Sequence, residues 1–444
     1  MDPLIIPRQE HIISRKQVSP NALRTLYRLH SNGFIAYLVG GCVRDLLLER
    51  TPKDFDIATN AAPGQIKRLF RNCRLIGRRF RLAHLHFHEE VLEVSTFRAA
   101  GPDPEPVEQE EGQEIVPSDR PPRHLKDDDG MILRDNVYGT PEEDALRRDF
   151  TINALAYNIA DFSVIDYTSG LSDLEQRLIR PIGDPLVRFT EDPVRMLRAV
   201  RFAASHDLTI EPATWEILCE LSATISRASP ARLYEEMLKL FLLNSARPVF
   251  TLLETSGLLA ALFPRLSQWL QKNDTHRTAV HINLESLDRL GRSGSPSSPA
   301  LFLALLFGPL IEEEALEHHR GGIPYQPAMN ATCTIFMEQL CQTVTTPGRI
   351  GGQLSSILAM QPLLRRMPPR RAPSLLNRPV FNDALAYFRL TAEARKEHRP
   401  AIDWWDSFIA AAPPPDPEQP DNKTPAKRRR RRRVRRGAPA GQPL

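Results

Sequence analysis

The chain is poor in cysteine. It has five, at positions 42, 73, 219, 333 and 341, odd in number and scattered. No Cys-x-x-Cys spacing occurs, so neither a disulfide framework nor a cysteine zinc site organises the fold. A reducing compartment, the cytoplasm, is the simplest expectation. Long apolar runs are missing too. None approaches the ~20 residues of a membrane span, and no membrane partner is expected. The first residues, MDPLIIPRQEH, lack a charged segment followed by an apolar one and do not read as a secretory signal. No internal repeat of roughly 20–50 residues is present. What the chain does have is length and enough apolar content, 41% of 444 residues, to bury cores. Roughly two to four domains are expected.

Charge is unevenly spread. Lys423, Lys427, Arg428, Arg429, Arg430, Arg431, Arg432, Arg433, Arg435 and Arg436 are ten cations, and without them a net charge of +4 becomes −6. The basic character therefore sits in the tail. Closely spaced cations with no acid among them repel one another and attract polyanions, so residues 427–436 are candidate RNA contacts.

Periodicity divides the chain. Pro20-Asn21-Ala22 opens a helix that Gly33 stops, and Ile35 to Val39 reads as a buried strand ending at Gly40-Gly41. Val43 to Leu48 reads as a short helix. Asp54 to Ala58 reads as a strand, Pro63 to Phe70 as a helix, and 74–76, 83–87 and 91–97 as further strands. Together these predict a small mixed sheet flanked by helices. Residues 101–130 carry six prolines and many acids and read as a mobile insertion. EEDALRRDFTINALAYNI (142–159) reads as a helix running into a strand, and 164–167 as another strand. From Leu171 the pattern is helical, with segments at 194–206, 215–225, 230–243, 248–256, 300–316, 353–364, 379–396 and 401–411. The fold class is therefore α+β, followed by an all-α region and, from Pro413, a disordered basic tail.

The chemistry-bearing residues lie early. On a strand, Asp54 and Asp56 face the same way about 7 Å apart. Two carboxylates so placed repel unless cations lie between them, and two Mg²⁺ ions would satisfy both. A bare Asp-x-Asp is most often a solvated loop pair; the GGxVRD that precedes this one argues for a site. Gly40 and Gly41 would let backbone amides approach an anion, and Arg44 can pair with phosphate oxygens, with Asp45 capping or orienting it. Arg147 and Arg148 suit triphosphate charge, with Asp149 beside them. Glu93 is a rival third carboxylate, and spacing does not choose between it and Asp149. Asp192, Arg195 and Arg198 fall on nearly one helical face and could read a base edge. His84, His86 and His88 alternate along a strand, spread over too great a length for one ion, and are expected to be structural or superficial. His206-Asp207 reads as a helix end.

LVGGCVRDLLL, PKDFDIATNA, LRRDFTINALAY and EDPVRMLRAVRFA together resemble the class II tRNA nucleotidyltransferase and bacterial poly(A) polymerase family of the polymerase-β superfamily. CRLIGRRFRLAHLHF (73–87), the N-terminal IIPRQEHIISRKQVSPNALRTLYRL and the arginine run resemble the poly(A) polymerase branch. The resemblance covers about residues 5–250. It implies a polymerase-β-like nucleotidyltransferase head (20–168, with the insertion 101–130), a helical neck (169–245), a helical RNA-binding body (246–412) and the tail (413–444). It also implies transfer of AMP from ATP to RNA 3′ ends with two Mg²⁺ ions. Asp54 and Asp56 would hold the metals, Asp149 would lie in the active site, and Gly40, Gly41, Arg44, Arg148, Asp192, Arg195 and Arg198 would contact nucleotide. A monomer acting on single-stranded 3′ ends is expected. The alternatives are a CCA-adding enzyme, which shares these motifs, and a non-catalytic RNA-binding protein.

Overall fold

Ser19 and Pro20 start the first helix in the way their chemistry favours. The Ser19 hydroxyl accepts from the Ala22 N–H at 3.2 Å, and Pro20 occupies the first turn, where no N–H is needed. The helix (α1, Pro20–Ser31) buries Ala22, Leu26 and Leu29 against the sheet that follows. A computed structural model of the chain describes residues 2–77, 82–99, 124–126, 132–135, 138–295, 297–369 and 372–411.

The head alternates short strands and helices: β1 (Leu4–Ile6), α1, β2 (Ala36–Val39), α2 (Gly41–Leu47), β3 (Asp56–Thr59), α3 (Pro63–Leu69), β4 (Cys73–Ile76), β5 (Leu82–His86) and β6 (Val91–Thr96). Next come β7 (His124–Lys126), β8 (Ile132–Asp135), α4 (Pro141–Leu146), β9 (Ala156–Asn158) and β10 (Val164–Asp166). Among the described residues, eight strands form one sheet in the order β1-β10-β9-β2-β3-β6-β5-β4. Every neighbouring pair is antiparallel except β3–β6. The crossover through α3, β4 and β5 makes that one parallel pairing possible. Register then sorts side chains by face. Leu38, Ile57, Val94 and Ala83 stand in one row across four strands and are at most 1% exposed. The adjacent row, Val39, Asp56, Glu93 and His84, points to the other face.

Four features differ from the sequence reading. β1 pairs with β10 at the sheet edge, in a stretch to which the sequence reading assigns no element. Asp54 lies ahead of β3 rather than on it, although the alternation survives, because Phe55 between the aspartates is buried. The helix expected to run into a strand within 142–159 stops early, at Leu146, and Arg147 to Asp149 form a turn, with the strand following as β9. β7, inside the expected insertion 101–130, pairs antiparallel with β8 just beyond it; the insertion's other residues, like the tail after 411 and Arg78 to Arg81, lie outside the described residues.

Beyond the head come α5 (Gly170–Glu175), β11 (Leu178–Ile179), α6 (Pro185–Glu191), α7 (Val194–His206) and β12 (Thr209–Ile210), with β11 and β12 parallel. Helices follow: α8 (Pro212–Leu221), α9 (Pro230–Phe241), α10 (Ala246–Thr255), α11 (Leu258–Leu262), α12 (Pro264–Lys272), α13 (Asp274–Arg292), α14 (Pro299–Arg320), α15 (Tyr325–Thr343), α16 (Gly348–Arg365), α17 (Ala372–Leu376) and α18 (Phe381–Arg395). The α14 helix is buried continuously from Ala300 to Glu312 and packs against α13, α15, α16 and α18. The described residues divide into two compact units, one up to Glu397 and one from His398 to Ala411. In the second, α19 (Arg399–Ala411) stacks Trp404 on Phe408 with ring centres 4.8 Å apart. Among the described residues no helix is long and apolar enough to cross a membrane.

Candidate active site

The site begins where β2 turns into α2. Gly40 has φ +79° and ψ −137°, a conformation that L side chains rarely adopt. A β-carbon there would also stand 2.9 Å from Arg148 Nη1. The Gly40 N–H is already donated to the Leu155 carbonyl at 3.2 Å, so this amide is not free for an anion. At Gly41 an added β-carbon would meet only Arg44 at 3.5 Å, an ordinary contact.

The carboxylates come from two strands. Parallel pairing sets Asp56 opposite Glu93, and both line an open groove of about 310 Å³ with Val39, Leu82, Ser95, Arg98, Asp144, Arg147 and Arg148. The Asp56 carboxylate opens to solvent on one side and is surrounded by protein on the others. Burial and the negative charge of Glu93 push its carboxyl up to about 6 against the pull of Arg148, with Asp54 adding to the rise. A carboxylate held in that way is a sink for a cation. Among the described residues no three His, Cys, Asp or Glu side chains converge into a ready-made ion cage. Two or three hard oxygen donors are nevertheless what the protein contributes when nucleotide phosphates and water complete a Mg²⁺-like octahedron. Asp56 and Glu93, side by side across β3 and β6, therefore fit as protein donors to a divalent ion.

Facing the carboxylates are arginines. Arg98, Arg147 and Arg148 line the same groove. Burial, together with Arg98, Arg188, Arg195 and Arg148, pushes the Arg147 guanidinium down to about 10. Cations crowded in this way favour an anion. Arg148 is steadied by Asp144 at 3.2 Å and by the Asn153 carbonyl at 3.3 Å. The turn beneath it is held from α6, where Arg188 Nη2 donates to the carbonyls of Arg147 at 2.9 Å and Arg148 at 2.6 Å.

Asp149 and Arg44 are not in the groove, and Asp54 does not line it either. Asp149 is bound by Arg198, 2.6 Å from Nε and 2.5 Å from Nη2, and accepts from the Phe150 N–H and Asn153 Nδ2. Burial alone would raise its carboxyl; the Arg198 charge and these hydrogen bonds carry it down to about 2. The carboxylate beside Asp56 is Glu93, and Asp149 ties the head to α7. Arg44 is likewise buried. Its Nε and Nη2 donate to Asp45 Oδ1 at 2.9 and 2.7 Å, and its Nη1 donates to Asn153 Oδ1 at 2.7 Å. Its guanidinium lies over Phe202, 4.9 Å from the ring centre. Asp45 orients Arg44 and also meets His206, the last residue of α7, at 3.2 Å. A continuous chain of contacts thus runs His206–Asp45–Arg44–Asn153–Asp149–Arg198.

Asp192, Arg195 and Arg198 do not share one open face. Asp192 accepts from the Val194 N–H and from Arg232 Nη2 at 2.8 Å. Arg195 Nη1 donates to Glu191 at 3.1 Å and to the Arg188 carbonyl at 2.8 Å. Arg198 is taken by Asp149. His84, expected to be structural or superficial, is 26% exposed and lies near Glu93. The arginine run 427–436 lies outside the described residues.

Sequence reasoning passed over Arg98, Arg188 and Asn153. Strand alternation from Glu93 would send residue 98 to the opposite face, but β6 ends at Thr96 and the rule lapses there. Arg188 and Asn153 act on residues up to 109 positions away, and spacing carries no signal of that.

Comparison with known proteins gives three family-model matches: "Poly A polymerase head domain" over residues 36–180, "Probable RNA and SrmB- binding site of polymerase A" over 207–270, and "Polymerase A arginine-rich C-terminus" over 321–437. Poly(A) polymerase I of Salmonella typhi is 42% identical over 412 residues, 91% of this chain and 86% of that protein. Poly(A) polymerase I of Haemophilus influenzae is 37% identical over 92% of this chain and 88% of that protein. A CCA-adding enzyme of Lactobacillus gasseri is 36% identical over 56% of each. The crystal structure of the Bacillus stearothermophilus CCA-adding enzyme in complex with CTP shares the fold, with a TM-score of 0.61 and 24% identity over 88% of this chain and 83% of that one.

Proposed function

This chain belongs to the poly(A) polymerase family, and on that premise we propose that it is a template-independent polynucleotide adenylyltransferase. It transfers AMP from ATP to the 3′ ends of single-stranded RNA and releases pyrophosphate. The observation that carries the reading is the groove itself, in which Asp56 and Glu93 stand side by side and face Arg98, Arg147 and Arg148.

The RNA 3′-oxygen forms a bond to the α-phosphorus while the bond to the β-phosphate oxygen breaks. Asp54, Asp56 and Glu93 hold divalent metal, Mg²⁺ in this reading. When bound, it lowers the pKa of the 3′-hydroxyl and offsets charge on the triphosphate. Arg98, Arg147 and Arg148 bind the phosphate oxygens and keep the leaving group in line. Most of the catalysis is then positioning and fixed charge. Arg44 and Asp149 act from behind, through Asn153, by setting the turn that carries Arg147 and Arg148. Asp192 and Arg195 read the adenine edge, with Arg232 giving up Asp192 to the base. The arginine run, Lys427 to Arg436, holds RNA by its phosphates. The protein works as a cytoplasmic monomer.

The test is direct. Asp54→Ala or Asp56→Ala abolishes AMP incorporation and leaves RNA binding near normal; turnover retained in either variant overturns the metal assignment. The likeness to a CCA-adding enzyme, 36% over 56% of the chain, supports a second reading. Supplying each nucleotide with a tRNA lacking its CCA end separates the two, since CMP addition followed by a stop belongs to the CCA reading alone.

A further inference from the structure

The row of the sheet that carries the groove carboxylates does not end at Glu93. β6 pairs antiparallel with β5, so His84 stands opposite Glu93 just as Glu93 stands opposite Asp56. Paired positions point to the same face. His84 Nε2 lies 3.6 Å from Glu93 Oε2, and the two side chains are 26% and 44% exposed. The gap is about half an ångström more than a hydrogen bond, and a small side-chain rotation closes it. Leu82, two residues earlier on the same face, lines the groove itself, whereas His84 does not. β5 thus supplies one wall of the site and one polar group just behind a carboxylate.

Glu93 needs such a group. It is a partly exposed side chain with three rotatable bonds, set beside a second carboxylate that repels it. Without a donor on its far side, repulsion and rotamer freedom would turn it out of the groove. Carboxylates that hold metals are commonly fixed by a hydrogen-bond partner of this kind.

We propose that His84 is a positioning residue: its Nε2–H donates to the Glu93 carboxylate and holds it toward Asp56. The inference rests on the reading in which Asp56 and Glu93 hold the cation. The alternating histidines of 84–88 then divide by role. His86, next on the same face, is paired with Val91 and has no such duty.

The test compares the full-length chain with His84→Gln, His84→Asn, His84→Ala and His86→Asn. A glutamine amide nitrogen stands near the imidazole Nε2 position, whereas asparagine places its donor nearer Nδ1, short of Glu93. Three quantities are read: kcat and KM for AMP incorporation, Mn²⁺ affinity by calorimetry without nucleotide, and the thermal midpoint. The Asn and Ala variants are expected to lose about tenfold in kcat and in Mn²⁺ affinity, with the KM for RNA and the thermal midpoint unmoved. His84→Gln recovers most of both losses, and His86→Asn matches the parent. Parent-like behaviour in all the His84 variants overturns the proposal. So does equal loss in Gln and Asn, or a loss that tracks the thermal midpoint. Failure of the underlying reading looks different: the parent incorporates no AMP, or Asp56→Ala retains incorporation, and either result sinks both.

Discussion

Arg148 Nη1 occupies the space beside Gly40 that a side chain would need, 2.9 Å from where a β-carbon would stand. The turn after β2 and the turn after α4, more than a hundred residues apart in sequence, are therefore fitted to each other. Gly40 is required twice, once by its positive φ and once by this guanidinium.

Gly40→Ala should cost about 1–3 kcal/mol of stability from backbone strain and should displace Arg148. A higher KM for ATP with unchanged RNA affinity is the expected kinetic result. Gly41→Ala is the control, because its β-carbon meets nothing closer than 3.5 Å. Urea unfolding and steady-state kinetics on both variants check the contrast.

The Asp149–Arg198 pair predicts a pH dependence. Asp149 titrates at about 2 in the folded chain and near 3.9 when unfolded. Its folded pKa is depressed, so its stabilisation, roughly 2 kcal/mol, is fully present above about pH 4 and is lost as pH falls toward 2. Asp149→Asn should cost about 2 kcal/mol at pH 7, since it leaves the partly buried Arg198 guanidinium without its anion. That deficit should shrink between pH 4 and pH 2. A deficit that stays constant over this range would rule the ion pair out as its source.

Arg188 supports the arginine turn by donating to two successive carbonyls. Arg188→Ala should raise the KM for ATP by about tenfold, comparable to losing one charge-assisted bond of about 1.5 kcal/mol. Arg188→Lys should rescue little, because one ammonium cannot span both carbonyls and Glu191 together. An unchanged KM for ATP in Arg188→Ala would show that the turn holds itself.

The basic tail predicts a salt dependence. If about six phosphates are neutralised, log affinity for single-stranded RNA should fall against log salt with a slope of roughly −4. Deleting 423–436 should flatten it. An unchanged slope after the deletion places the binding in the helical body.

Much of the head was legible because its elements obey local rules. Ser19 caps α1, Pro63 opens α3, and alternation marks β5 and β6. The failures occur where a distant partner overrides the local preference. EEDALRRDF has the composition of a longer helix, yet the chain turns at Arg147 because Arg188 and Arg198 hold that turn from other helices. Arg44 reads as a phosphate ligand until Asn153 and Asp45 are seen to use its donors. The choice between Glu93 and Asp149 depended on the β3–β6 register, which spacing does not encode. In the helical region, α15 escaped notice because its buried face includes Thr332 while Ile335 is exposed, which blurs the amphipathic stripe; α13 buries Val280, Leu284 and Leu287 along one face, a stripe the sequence does carry.

The sheet edge at β1 also sets an order of events during synthesis. Leu4 pairs with Asp166 and Ile6 with Val164, and β2 likewise pairs with β9. A chain leaving the ribosome presents its N-terminus first, so the earliest strand must wait for the last strand of the sheet before it has a neighbour. Asp56 and Glu93 emerge well before Arg148, and Asp149 emerges before its Arg198. A nascent head therefore has its carboxylates and Arg98 well before Arg147 and Arg148, and the Asp149–Arg198 contact closes only after α7 has been translated.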